Sequence, residues 1–174
     1  YRVLACDVSE VPTALRKAVK EVGGQVTWHQ LDVTNMEQWE ALGEDVDTVI
    51  HAAALTPTDE SDPVGVVNVN LVGTLKGLEY ARKFGVHRFI ALSSSSVYRD
   101  LPYEDRPLRE DDPVRPIHAY GISKVALENF ITLYRARKGL DCCAVRMTSI
   151  YGPWERPTGS RLGMSPVFRL MTAV

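Results

Sequence analysis

The sequence predicts an α/β fold, a Rossmann-type doubly wound parallel sheet, on two observations. Short apolar runs alternate with longer amphipathic ones along the chain, the mark of strand followed by helix. The short runs are apolar at nearly every position, which suits strands covered on both faces. Right-handed crossovers between such strands give the doubly wound arrangement.

Five runs read as strands: Val3–Cys6, Val26–His29, Thr48–His51, Phe89–Ser93 and Cys142–Met147. Four read as helices: Thr13–Val22, Met36–Leu42, Val64–Phe84 and Ala119–Lys138. Asp62-Pro63 supplies an N-cap and a proline at the first helical position of the third helix. Gly85 and Gly139 are placed to end the third and fourth. The segment from Arg99 to Ile117 is a long loop rich in proline and charge, a kind that is usually functional or mobile. The sequence holds no internal repeat and no low-complexity tract.

A chain of 174 residues makes one domain, or most of one, with a substantial core. Its 45% hydrophobic and 24% charged residues are ordinary for a soluble protein. A net charge of −2 without a basic run argues against nucleic acid as a partner. No apolar stretch approaches the roughly 18 residues that cross a membrane. Cys6, Cys142 and Cys143 lie in strand-like segments and are expected to be buried, reduced thiols of a cytoplasmic protein. No Cys/His spacing suggests a metal site.

The chemistry is concentrated in Tyr120-Gly121-Ile122-Ser123-Lys124, downstream of the serine run Ser93 to Ser96. A Tyr and a Lys four apart on a helix lie one above the other. A cation there favours the tyrosinate over the phenol, whose reference pKa is about 10. A nearby serine hydroxyl would hold a substrate oxygen, completing acid–base equipment for interconverting an alcohol and a ketone. The chain carries a second such pair, Tyr134 and Lys138, about four turns and roughly 21 Å farther along the helix. Lys138 immediately precedes the stop glycine, so this pair reads as structural.

The first strand ends in Asp7, yet no G-x-G or G-x-x-G occurs anywhere in the chain. A dinucleotide-binding domain opens on strand, glycine turn and helix. The expectation is that this opening unit, about 30 residues long, is lacking from the sequence and that the sheet is incomplete at the N-terminus.

The motifs run in a fixed order. Asp7 is followed by Leu31-Asp32-Val33-Thr34, then Val49-Ile50-His51-Ala52-Ala53-Ala54, then Val67-Asn68-Val69-Asn70-Leu71-Val72-Gly73-Thr74. Next come Leu92-Ser93-Ser94-Ser95-Ser96-Val97-Tyr98, the Tyr120–Lys124 motif, and Val145-Arg146-Met147-Thr148-Ser149-Ile150-Tyr151-Gly152-Pro153. In this order the chain resembles the extended short-chain dehydrogenase/reductase family, the NAD-dependent epimerase/dehydratases that act mostly on nucleotide sugars. Pro102, Glu110-Asp111 and Pro116 resemble that family's acidic, proline-marked approach to its catalytic tyrosine.

The resemblance implies roles. Asp7 would accept hydrogen bonds from the adenosine ribose, and its charge, with no Arg directly after it, favours NAD over NADP. Asp32 would bind the adenine amino group and Val33 would line its pocket. Ala52, Ala53 and Ala54 would let the backbone approach the cofactor, while His51 reads as a packed core histidine. Asn70 would tie its helix to the neighbouring loop. Ser94, Tyr120 and Lys124 would be catalytic, with Tyr120 as acid/base and Lys124 also on the nicotinamide ribose. Ser94 is chosen because it lies four before Tyr98. Strand alternation keeps Ser94 and Ser95 from both facing the substrate. Thr148 and Ser149 would border the nicotinamide or substrate, Ser95 would be a further substrate contact, and Arg156 or Arg161 could meet a substrate phosphate. Residues 1–153 would be a partial NAD-binding domain and 154–174 the start of a substrate-binding region.

The implied function is an NAD-dependent epimerase acting on a sugar, expected to be a nucleotide sugar, through a transient keto intermediate. A dehydrogenase or reductase using the same three residues is the alternative, and a non-catalytic dinucleotide-binding module is another. Dehydration is disfavoured, because Ser95 and Ser96 stand where the family's dehydratases carry an Asp-Glu pair. Without a glycine turn the chain alone is expected to bind NAD weakly or not at all. The family's pairing of the third and fourth long helices implies a homodimer.

Overall fold

The computed structural model describes residues 2–11, 13–21, 25–56, 61–98, 106–152 and 165–172. Five parallel strands alternate with helices: β1 Arg2–Asp7, α1 Thr13–Glu21, β2 Gln25–Gln30, α2 Met36–Glu40 and β3 Thr48–His51. There follow α3 Pro63–Val67, α4 Gly73–Lys83, β4 Arg88–Ser94, α5 Ala119–Leu133, β5 Cys142–Met147 and α6 Pro166–Thr172. Every strand expected from the apolar runs is present, within a residue or two at each end.

The sheet is in two parts. β1 pairs with β2 from Arg2↔Gln25 to Asp7↔Gln30. The order β3-β4-β5 forms the second part, with β4 central and Ser93 opposite Arg146. Every pairing is parallel, as a doubly wound fold requires.

The expectation of a sheet covered on both faces does not hold for the described residues. Val49, His51, Phe89, Ala91 and Cys142 are buried on the face that meets α2, α4 and α5. On the other face Ile50 is 67% exposed, and Val145 and Cys143 are exposed too. The apolar composition of β3 and β5 therefore reports burial that only one layer of described helices supplies. The expected burial of all three cysteines fails for the same reason. Cys142 is buried and its thiol donates to the Ile131 carbonyl, whereas Cys6 and Cys143 are exposed.

The core lies between the three-stranded sheet and its helices. Trp39 anchors α2 there, its ring against His51 and Tyr80, its indole N–H donating to the Val33 carbonyl at 2.9 Å. The Asp62 cap accepts from the Gly65 amide at 2.8 Å, with Pro63 at the first helical turn. The long helix expected over 64–84 is interrupted by one π turn, Asn68–Val72, between α3 and α4. Such wider turns reorient side chains and recur at functional sites; here the turn contains Asn70, which is fully buried. A second π turn, Tyr134–Lys138, closes α5, and Gly139 ends it with a left-handed φ of 68°. Among the described residues no helix is long and apolar enough to cross a membrane. Nor do they contain a group of three or more His, Cys, Asp or Glu arranged to hold a metal ion.

Candidate active site

Parallel strands all point their carboxyl ends one way, and ligands of open α/β sheets bind outside those ends. The expected site residues gather there. Asp7 is the last residue of β1 and accepts the Ser9 amide at 2.8 Å. Asp32 follows β2; the Thr34 hydroxyl and amide donate to its Oδ1 at 2.7 and 2.8 Å and hold its carboxyl below the usual range. The Leu31 amide donates to the Asp7 carbonyl at 2.9 Å, so the two carboxylates stand at adjoining strand ends. Ala52, Ala53 and Ala54 follow β3, the first two exposed rather than packed beneath a helix. Thr148 and Ser149 follow β5 and are exposed. Arg156, Arg161 and Pro153 lie outside the described residues.

The strand-end loops are tied together through α4 and its π turn. A Cβ on Gly73 would stand 2.6 Å from Val33 Cγ2, so the helix crosses that loop where only glycine fits. Three residues earlier, Asn70 Oδ1 accepts the Leu55 amide at 2.7 Å and its Nδ2 donates to the Leu55 carbonyl at 3.0 Å. The same amide nitrogen donates to Ser123 Oγ at 3.1 Å, and Ser123 donates to the Tyr120 carbonyl at 2.7 Å. Asn70 thus joins the β3 loop to the first turn of α5.

That first turn presses on the end of β4. Gly121 has room for no side chain: a Cβ would meet Pro116 Cβ at 2.7 Å and the Ser96 carbonyl at 2.9 Å. Lys124 is buried and donates to the Leu92 carbonyl at 2.7 Å, two residues before Ser94. Its ammonium stands 5.5 Å from the centre of the Tyr120 ring. Ser94 accepts the Ser96 amide at 3.1 Å and donates to the Ser96 hydroxyl, which opens a 3-10 turn over Ser95–Tyr98. β4 ends at Ser94 and Ser95 opens the 3-10 turn, so the alternation argument does not reach Ser95.

Electrostatics distinguish Lys124. Burial pushes its ammonium down to about 8. Behind it His51 is pushed down to about 4, by burial first and then by the Lys124 charge, so this histidine is neutral at physiological pH. The second Tyr-Lys pair differs. The Tyr134 hydroxyl donates to Glu79 Oε1, and burial and that carboxylate push the phenol up to about 12. Tyr134 is a fixed donor joining α5 to α4.

A model of the NAD dependent epimerase/dehydratase family matches residues 1–170. The chain belongs to this family. A putative UDP-glucose 4-epimerase of Methanocaldococcus jannaschii is 34% identical over 119 residues, 67% of this chain and 38% of that protein. The UDP-glucose 4-epimerase of Thermus thermophilus, crystallised with NAD, superposes with a TM-score of 0.74 at 26% identity, over 91% of this chain and 58% of that one. The enzyme of the same name from Bifidobacterium longum, in complex with NAD+ and UDP, gives 0.73 at 27% identity, over 84% and 45%. The chain spans less than half the length of the curated relatives that it matches.

In this member of the epimerase/dehydratase family one cluster went unnoticed in the sequence. Ser93 is buried and donates to Glu128 Oε1 at 2.5 Å. Arg146 grips Glu128 with both arms, at 2.9 and 2.8 Å, which raises its guanidinium well above the ordinary value. The signal was present: Tyr120, Lys124 and Glu128 recur every four residues on α5. Arg146 stands out as a charge inside an apolar strand, but nothing local in the sequence names its partner.

Replacing Lys124 with Met should change how stability depends on pH. The Lys124 pKa falls from its ordinary value of 10.5 to about 8 on folding, so between those values the unfolded chain holds more protons. Wild-type stability therefore rises through that window, by up to about 3 kcal/mol, relative to Lys124→Met. Chemical denaturation of both proteins at pH 7.5 and pH 10.5 reads this, and parallel curves would contradict the buried cation.

Proposed function

We propose that this chain carries the acid–base part of an NAD-dependent epimerase acting on a nucleotide sugar. The observation behind the reading is the placing of a buried Lys124 between Tyr120 and the β4 backbone, two residues before Ser94. The family membership supports it, as do the relatives whose names specify UDP-sugar 4-epimerases.

Tyr120 takes the proton from a sugar hydroxyl and returns it. Lys124 stabilises the tyrosinate through its charge; with a pKa of about 8 it remains mostly protonated at neutral pH. Ser94 holds the oxygen that becomes a carbonyl. The described residues fit a dinucleotide: exposed Ala52 and Ala53 leave the β3 end open to close approach, and Asp7 and Asp32 offer carboxylates at the β1 and β2 ends. Asp7, Asp32, Val33, Ala52–Ala54 and Thr148 would hold or border NAD, while Asn70, fully buried on Leu55 and Ser123, would support the β3 loop from behind rather than touch the cofactor. A bound NAD would supply the hydride acceptor and donor that these residues themselves lack. Ser95, Ser149 and Arg156 would contact the sugar nucleotide.

The same reading includes a homodimer, supported by apolar side chains left uncovered where α3 packs on α5, among them Val64 at 78% and Ile122 at 49% exposure. Sedimentation equilibrium should return twice the chain mass, and the single-chain mass would contradict it.

In the intact protein loaded with NAD, Tyr120→Phe should lower kcat for epimerisation by roughly a hundredfold to ten-thousandfold, with bound NAD unchanged. Retained turnover would rule out the acid–base role. Wild-type turnover should proceed without accumulating NADH, whereas NADH formed in step with product would favour the dehydrogenase.

A further inference from the structure

Tyr120, Lys124 and Glu128 form one stripe along α5, and its two lower members grip successive residues of β4. Lys124 holds the Leu92 carbonyl and Glu128 holds the Ser93 hydroxyl. The next residue is Ser94. From the other flank Arg146, opposite Ser93 in the β4–β5 register, reaches the same Glu128 with a two-armed bond. A slip of the helix by one turn would break all of these contacts together.

Arg146 extends the cluster outward. Its Nη1 donates to the Tyr98 hydroxyl and, at 2.9 Å, to the Glu110 carbonyl, while its guanidinium lies 4.8 Å from the centre of the Tyr98 ring. The Tyr98 hydroxyl donates to the Arg109 carbonyl at 2.9 Å. One fork thus fixes the end of the serine turn and the segment leading into α5. Stability alone is a poor account of this partly buried pair, since apolar residues of similar size are often as stabilising as an ion pair taken out of water. What apolar residues lack is direction: a two-armed bond defines one register.

We infer that Glu128 and Arg146 are a positioning pair, which sets Ser94 relative to Tyr120 and Lys124 and pins residues 106–117 against the serine turn. The inference rests on the acid–base reading above. Neither residue is placed on substrate or cofactor; both act through Ser93, Tyr98 and the loop carbonyls.

The test is the double variant Glu128→Leu/Arg146→Met in the intact protein loaded with NAD. It should unfold cooperatively, with amide exchange in 94–98 and 106–117 faster by about tenfold or more and α4 unchanged. Its kcat on the UDP-sugar should fall on the order of a hundredfold, with KM within about twofold of wild type. A folded variant with wild-type exchange in both segments overturns the inference, and so does faster exchange with wild-type kcat. Should the double variant fail to fold, Arg146→Lys, which keeps the charge and loses the fork, is judged by the same two readings. If the wild-type protein turns over no UDP-sugar, the epimerase reading fails. The exchange measurement then decides the positioning role alone: faster exchange supports it and unchanged exchange overturns it.

Discussion

The interaction on which the rest depends is the bond from Lys124 to the Leu92 carbonyl. An ammonium removed from water is costly, and a single carbonyl repays only part of that cost. The remainder appears as a pKa pushed down to about 8. A buried, perturbed cation at a strand end beside a tyrosine is what the acid–base role proposed for Lys124 requires. Much nearby packing serves to keep it there. Gly121 lets the helix touch the Ser96 backbone, Asn70 fastens the first turn of α5 to the β3 loop, and His51 stays neutral behind the ammonium.

The strand-end loops are tied to one another through α4 and its π turn. Val33 packs against Gly73, and Asn70, three residues before, holds Leu55 and Ser123. The loops after β2 and β3 and the start of α5 are therefore referenced to a single helix and its π turn.

Strands and helices were legible because apolar runs and their punctuation are local signals. Thr48–His51 and Cys142–Met147 have the expected bounds, and Gly139 ends its helix through a backbone angle that favours glycine. Strand composition misled on burial, because an apolar residue states a preference and not what lies against it. Ile50 and Val145 are exposed for that reason. The π turn at Asn68–Val72 has no local signature; it follows from burying Asn70 against two partners distant in sequence. Arg146 was illegible because its partner Glu128 is 18 residues away on another element and meets it only through the register of β4 with β5.

The central claim is that Ser94, Tyr120 and Lys124 act together on one hydroxyl at the carboxyl ends of the strands. A crystal structure of the protein with NAD and a UDP-sugar tests it most directly. The account predicts one sugar hydroxyl within about 3 Å of both Ser94 Oγ and Tyr120 Oη, with Lys124 against the nicotinamide ribose. A sugar bound away from the end of β4, or a Ser94 turned from the sugar with Tyr120 in place, would contradict it.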